Sequence, residues 1–191
     1  AFMGMQSPLT VTQMLWVNLI MDTFAAMALA SLPPAQSVMK EKPRSREAFI
    51  INNPMWKSII GAGGVFFLFL LGLLYYFEHT DITCLTEVGK VAMGANTGLS
   101  GYELSLFFTI FVFLQFWNMF NARAFETGRS AFHFKGCGGF GLIALVILLG
   151  QVLIASVGGD FFNVEPLKFI DWVIIIGGTS LVLWIGELIR L

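Results

Sequence analysis

The sequence predicts an all-α, multi-span transmembrane helix bundle with five spans, and three observations carry that prediction. The chain of 191 residues is 57% hydrophobic and 12% charged, with 20 Phe, whereas a soluble domain averages about 25% charged residues. Five apolar stretches, at about 8–32, 55–77, 102–122, 137–157 and 169–191, each approach the twenty residues needed to cross a hydrocarbon core roughly 30 Å thick. The basic residues gather in alternate loops between them. One compact domain, residues 1–191, with membrane lipid as its surroundings, is the expected unit. The net charge of −1 points to no class of partner, and with no basic stripe or nucleic-acid motif and the few basic residues set in loops between apolar spans, no nucleic-acid partner is expected.

Ser7 before Pro8 is the expected N-cap of the first span, with proline at the first helical position, where a missing amide hydrogen costs nothing. Pro33 and Pro34 end that span. A polar loop follows, with Lys40, Lys42, Arg44 and Arg46 set against Glu41 and Glu47. The second span carries Gly61, Ala62, Gly63 and Gly64, a flat patch that lets a neighbouring helix approach closely, so packing is the favoured role. The third span, 102–122, is interrupted by Gln115, Asn118 and Asn121. A basic turn with Arg123, Arg129 and Lys135 leads to the fourth span, and a short loop leads to the fifth.

Lys and Arg in short loops mark the cytoplasmic side. The loops at 35–53 and 123–136 hold seven of the 11, against Lys90 and Lys168 alone in the loops at 78–101 and 158–168. The first residues are therefore expected outside and Arg190 in the cytosol. Cys84 and Cys137 fall on opposite sides in this topology and are expected to be free thiols. The opening AFMGMQSP lacks the parts of a secretory signal, and the chain is expected to begin in the middle of a longer protein.

The chemistry concentrates in LWVNLIMDTFAAMALA, Leu15 to Ala30, where an amide and a carboxylate interrupt an apolar span. Asn18 and Asp22 are four apart, a spacing that stacks both side chains on one face of an α-helix. A rise of roughly 1.5 Å per residue from Pro8 puts both near mid-membrane, where an ionisable side chain is a functional hypothesis by default. The pair offers one neutral and one anionic oxygen, the ligand type that calcium or magnesium takes. The bland alternative is a structural carboxylate hydrogen-bonded to a neighbouring helix.

Other patterns carry less. Gly136, Gly138 and Gly141 fit G-x-G-x-x-G but open an apolar span rather than a βαβ unit, so no nucleotide role follows. His79 and His133 lie on opposite sides and are read as solvated loop residues. Phe107, Phe108, Phe111, Phe113 and Phe116 read as packing or lipid-facing surface, and Trp56 and Trp172 as members of the aromatic belt. Gln115 and Asn118, three apart, suit interhelical hydrogen bonding. Asp171, Glu187 and Arg190, near span ends, are expected to snorkel to water.

The run PLTVTQMLWVNLIMDTFAAMALASLPP, Pro8 to Pro34, resembles the sixth transmembrane helix of the P-type calcium-transporting ATPases, in the form typical of the plasma-membrane branch. KPRSR, Lys42 to Arg46, resembles the cytosolic loop that follows in that family, and LQFWNMFNAR, Leu114 to Arg123, its eighth helix. The resemblance implies that the five spans are the sixth to tenth helices and that Asn18 and Asp22 ligate the transported calcium ion. It implies a seventh helix whose glycines pack on the fifth. In the two-site branch the position of Gln115 is a ligating glutamate and that of Met21 a threonine, so Gln115 is only a weak candidate ligand here and Met21 a poor one. ATP and magnesium would belong to cytosolic domains carrying a DKTG motif, which these 191 residues lack. The chain's partners would then be the upstream transmembrane helices and cytosolic domains of the same protein, and the piece alone would hydrolyse nothing. A channel or secondary transporter using the same polar pair, or a structural membrane anchor, are the rival readings.

Overall fold

The computed structural model describes residues 7–33, 49, 51–96, 98–125, 127, 130–133 and 137–190. Among the described residues five helices are long and apolar enough to cross a membrane: α1 (Val11–Ala30), α2 (Asn53–Glu78), α3 (Gly101–Ala124), α4 (Gly138–Val157) and α5 (Phe169–Arg190). The protein is an all-helical, multi-pass integral membrane protein. Pro34, the basic residues from Lys40 to Arg46, Glu47, Arg129, Lys135, Gly136 and the side chain of Arg190 lie outside the described residues.

Local chemistry sets the helix starts. For α1 the cap is Thr10 rather than the expected Ser7: Gln13 N donates to Thr10 Oγ1 at 3.4 Å and Thr10 N to Gln13 Oε1 at 3.0 Å. This reciprocal box satisfies two amides that the helix leaves open, while the Ser7 hydroxyl donates to Leu9 O at 3.0 Å. Asn52 caps α2 by accepting Met55 N at 2.8 Å, with Pro54 in the first turn. Ser100 and Glu103 form a second capping box on α3.

Helix α3 is the centre of the bundle. Leu106, Phe107, Phe108, Phe113 and Phe116 are buried, so the Phe stripe packs inward rather than facing lipid. Its main partner is α5, through Trp117 Nε1 donating to Thr179 Oγ1 at 3.1 Å and Asn121 Nδ2 donating to Val182 O at 2.9 Å. Gly186 makes room for Asn121, since a Cβ there would fall 2.3 Å from Asn121 Oδ1. Helix α1 packs mainly on α4, and α2 packs on α3, with Leu74 and Phe77 buried near its C-terminal end.

One end of the bundle, formed by the segments between α2 and α3 and between α4 and α5, is tied by carboxylates. Asp171 is 0% exposed. It accepts Leu85 N at 2.8 Å, Lys168 N at 3.2 Å, Cys84 Sγ at 3.4 Å and the Tyr102 hydroxyl. The expected snorkelling of Asp171 is thus replaced by burial with four donors, because the loop between α2 and α3 folds back over the α5 N-terminus and brings Leu85 and Cys84 to it, beside Lys168 and Tyr102 of α3. Glu103, also buried, accepts Ser100 N at 2.9 Å and Ile82 N at 3.3 Å. At the other end Glu187 is half-buried and accepts Ala131 N at 3.1 Å, so it too holds a loop rather than reaching for water. His79 is half-buried with its ring 4.3 Å from that of Tyr75. Neither cysteine is in a disulfide, Cys84 lying buried at the first end and Cys137 just before α4 at the other.

Candidate ion-binding face of the first helix

Helix α1 is not α-helical throughout. Val11–Leu15 and Asp22–Ala30 are α-helix, and Trp16–Met21 between them is a π-helix, in which Asp22 N donates to Val17 O, five residues back. Such one-turn widenings are uncommon and cluster at functional sites. This one contains Asn18 and ends at Asp22. The Thr23 hydroxyl donates to Leu19 O, drawing off an acceptor in the same turn.

The wide turn lies between two fixed points. On its N-terminal side Thr12 Oγ1 donates to Phe161 O at 3.1 Å, Gln13 Nε2 to Phe162 O at 2.9 Å, and Trp16 Nε1 to Gln151 Oε1 at 3.2 Å. On its C-terminal side Ala28 is buried and Ser31 sits against Gly139, whose Cβ would lie 3.2 Å from Ser31 Oγ. The packed face therefore carries Gln13, Val17, Met21 and Ala28, while Asn18 and Asp22 are both exposed. An amide and a carboxylate thus sit on the uncovered side of the span, beside exposed Leu15 and Leu19.

Asn18 and Asp22 thus share an uncovered face. Met21 is 2% exposed in the packed face, so its thioether does not share the surface of Asp22. Gln115 and Asn118 are half-buried on α3, whose main partner is α5, whereas α1 packs on α4. Among the described residues no group of three or more His, Cys, Asp and Glu comes together to hold a metal. A hard cation such as calcium takes six to eight oxygens. The α1 pair fits that chemistry by ligand type but forms one side of such a shell.

Gln151 was missed by reading the sequence. It is 1% exposed in the middle of α4 and leaves Nε2 without a hydrogen-bond partner. A buried polar group left open costs of order 1–3 kcal/mol, which makes Gln151 an expensive way to fill an apolar helix. Its signal was visible as the one amide in ILLGQVLIA. Glu103 was legible as the fourth residue of SGYE, but nothing local marks Asp171 as a hub, since Leu85 lies 86 residues away.

The five-span bundle turns a carboxylate and an amide of its first helix away from its own core. The chain belongs to the family described as cation transporting ATPase, C-terminus, whose profile matches residues 6–191. It is 34% identical over 191 residues to calcium-transporting ATPase PAT1 of Dictyostelium discoideum, covering 96% of this chain and 16% of that protein. It is 34% identical over 192 residues to plasma membrane calcium-transporting ATPase 2 of Oreochromis mossambicus, with the same coverage of 96% and 16%. With plasma membrane calcium-transporting ATPase 3 of Rattus norvegicus it shares 33% over 195 residues, 96% of this chain and 14% of the relative. The chain thus spans about a sixth of the length of the relatives it matches.

Proposed function

We propose that this chain is the C-terminal membrane part of an ATP-driven calcium pump, and that Asn18 and Asp22 ligate the transported ion. The observation that carries the reading is the outward-facing pair on a π-helical turn: the chain fixes α1 firmly on one face and leaves the oxygen-bearing face for helices that it does not itself contain. The kinship with calcium-transporting ATPases supports calcium as the ion. ATP and magnesium act in cytosolic domains elsewhere in the complete protein. The distribution of basic residues supports an orientation with the Asp171 end outside.

The kinship with calcium-transporting ATPases favours this reading over a channel or a structural anchor. Calcium binding requires the deprotonated carboxylate, so Asp22 is the group on which a countertransported proton would ride. In the complete protein Asp22→Asn keeps the size of the side chain and removes its charge. Calcium-dependent phosphorylation by ATP should be lost while phosphorylation from inorganic phosphate without calcium survives. Unchanged calcium dependence in that variant would remove the assignment, and calcium uptake in tight vesicles without proton movement would remove the proton role.

A further inference from the structure

We infer that Gln151 and Gly150 on α4 are positioning residues for the ion ligands of α1, acting through Trp16; this rests on the ion-site reading above. Trp16 is the first residue of the π-helical turn, and its indole is located by two features of α4. Its Nε1 donates to Gln151 Oε1 at 3.2 Å. Its ring also lies where a side chain on the neighbouring residue would be, since a Cβ at Gly150 would fall 2.7 Å from Trp16 Cη2 and 3.1 Å from Cζ2. The notch and the acceptor are adjacent in sequence and serve the same ring.

The reason for this arrangement lies in the helix ladder. A π-turn exchanges i→i+4 bonds for i→i+5 bonds and tends to relax into α-helix unless both flanks are held. Relaxation would rotate everything after the turn relative to everything before it. The C-terminal flank is held by Ala28 and Ser31 against α4, and the last N-terminal tie before the turn is Trp16 to Gln151. Cutting that tie lets Trp16 turn on α4 and carries Asn18 off the face it shares with Asp22. The burial of Gln151 beside Val112, Phe113, Phe116, Ile147 and Leu148, with Nε2 unpartnered, fits a residue retained for its one acceptor rather than for packing.

The test uses the complete pump, reading the calcium concentration for half-maximal ATPase activation, the maximal rate, and the amount of pump in the membrane. Gln151→Leu, apolar and similar in size, should raise the half-activating calcium concentration roughly five- to tenfold with a much smaller change in maximal rate. Trp16→Phe, which keeps a ring and drops the indole N–H, should act in the same direction. The double variant should add little to either single change, because both cut one bond. Gly150→Ala should shift calcium activation as well, by displacing the ring. A residue that only stabilised the bundle would lower the amount of pump and leave the half-activating concentration unchanged, and that result in Gln151→Leu, or in Trp16→Phe should Gln151→Leu not reach the membrane, overturns the inference. Normal calcium activation in these variants together with its loss in Asp22→Asn overturns the positioning role alone. Normal activation in Asp22→Asn as well overturns the ion site beneath it.

Discussion

Helices α2 and α3 differ little in length, yet 72% of the apolar stretch of α3 is buried inside this chain and 6% of that of α2. The more buried helix is the more polar of the two. Helix α3 spends Trp117, Asn121 and Ser105 on bonds to neighbouring segments, whereas α2 presents Ile59, Ile60, Phe67 and Leu68 outward and, at Gly61, Gly63 and Gly64, leaves open space within 4 Å. In a membrane, apolarity does not drive helices together, because lipid is as apolar as leucine; small residues and polar bonds do so. Helix α1 has both characters at once, with Gln13, Trp16 and Met21 packed and Asn18 and Asp22 exposed. The closed half of the molecule is a platform and the open half is where function is to be sought.

The largest effect that separates the two halves is expected at the carboxylates. Asp171→Ala leaves the amides of Leu85 and Lys168 and the Tyr102 hydroxyl without their acceptor, at about 1–3 kcal/mol for each one left buried and open, and should cost about 3–5 kcal/mol of stability. Asp22→Ala should cost none of it in the absence of calcium. Thermal unfolding of the purified complete protein in calcium-free detergent measures both, and equal losses would erase the distinction. Next comes the open face of α2. A Cβ at Gly63 meets nothing within 4 Å in this chain, and Gly63→Leu should destabilise the complete pump by about 1–3 kcal/mol through a helix that covers that face. An unaffected melting temperature would mean that the face meets lipid.

A smaller effect concerns access. Cys84 is buried against Asp171, so a membrane-impermeant thiol reagent should modify it slowly from outside, and faster in Asp171→Ala. Cys137, half-buried at the opposite end, should react only after permeabilisation. Reaction of both in sealed cells would overturn the five-span orientation. The smallest effect is at Glu87, in the loop beside Asp171, whose pKa lies below its ordinary 4.5 chiefly because Thr83 N donates to the carboxylate at 2.8 Å. A lowered carboxylate pKa stabilises the fold above the unfolded value and loses that contribution as pH falls through the folded one. Order in the Thr83–Glu87 turn should therefore weaken below about pH 4.5. Followed by amide exchange in that turn, Glu87→Gln should abolish the pH dependence.

How much of this was legible follows from the range over which each signal acts. Span length and hydropathy are local sums, so 55–77, 102–122, 137–157 and 169–191 fall within two residues of the observed helices. The first span starts three residues later than expected because the Thr10–Gln13 box is stronger than a Ser–Pro start. The Asn18 and Asp22 pair was visible from composition, but the π-turn was not, since nothing in WVNLIM disfavours an α-helix and the widening depends on ties to α4. Asp171 was misjudged for the same reason. Its position near a span end suggested water, and only the folded loop brings Leu85 and Cys84 to it.

The most direct test is equilibrium binding of radiolabelled calcium to the purified complete pump and to its Asp22→Asn and Asn18→Ala variants. One ion per pump with a Hill coefficient near one is expected, since Met21 is buried in the packed face and Gln115 brings no charge. Affinity should fall by more than about 100-fold in Asp22→Asn, where an anionic ligand itself is lost, and by less in Asn18→Ala, where one neutral oxygen is lost. Binding of calcium to Asp22→Asn with wild-type affinity, or two ions held cooperatively by the wild-type pump, would contradict the account.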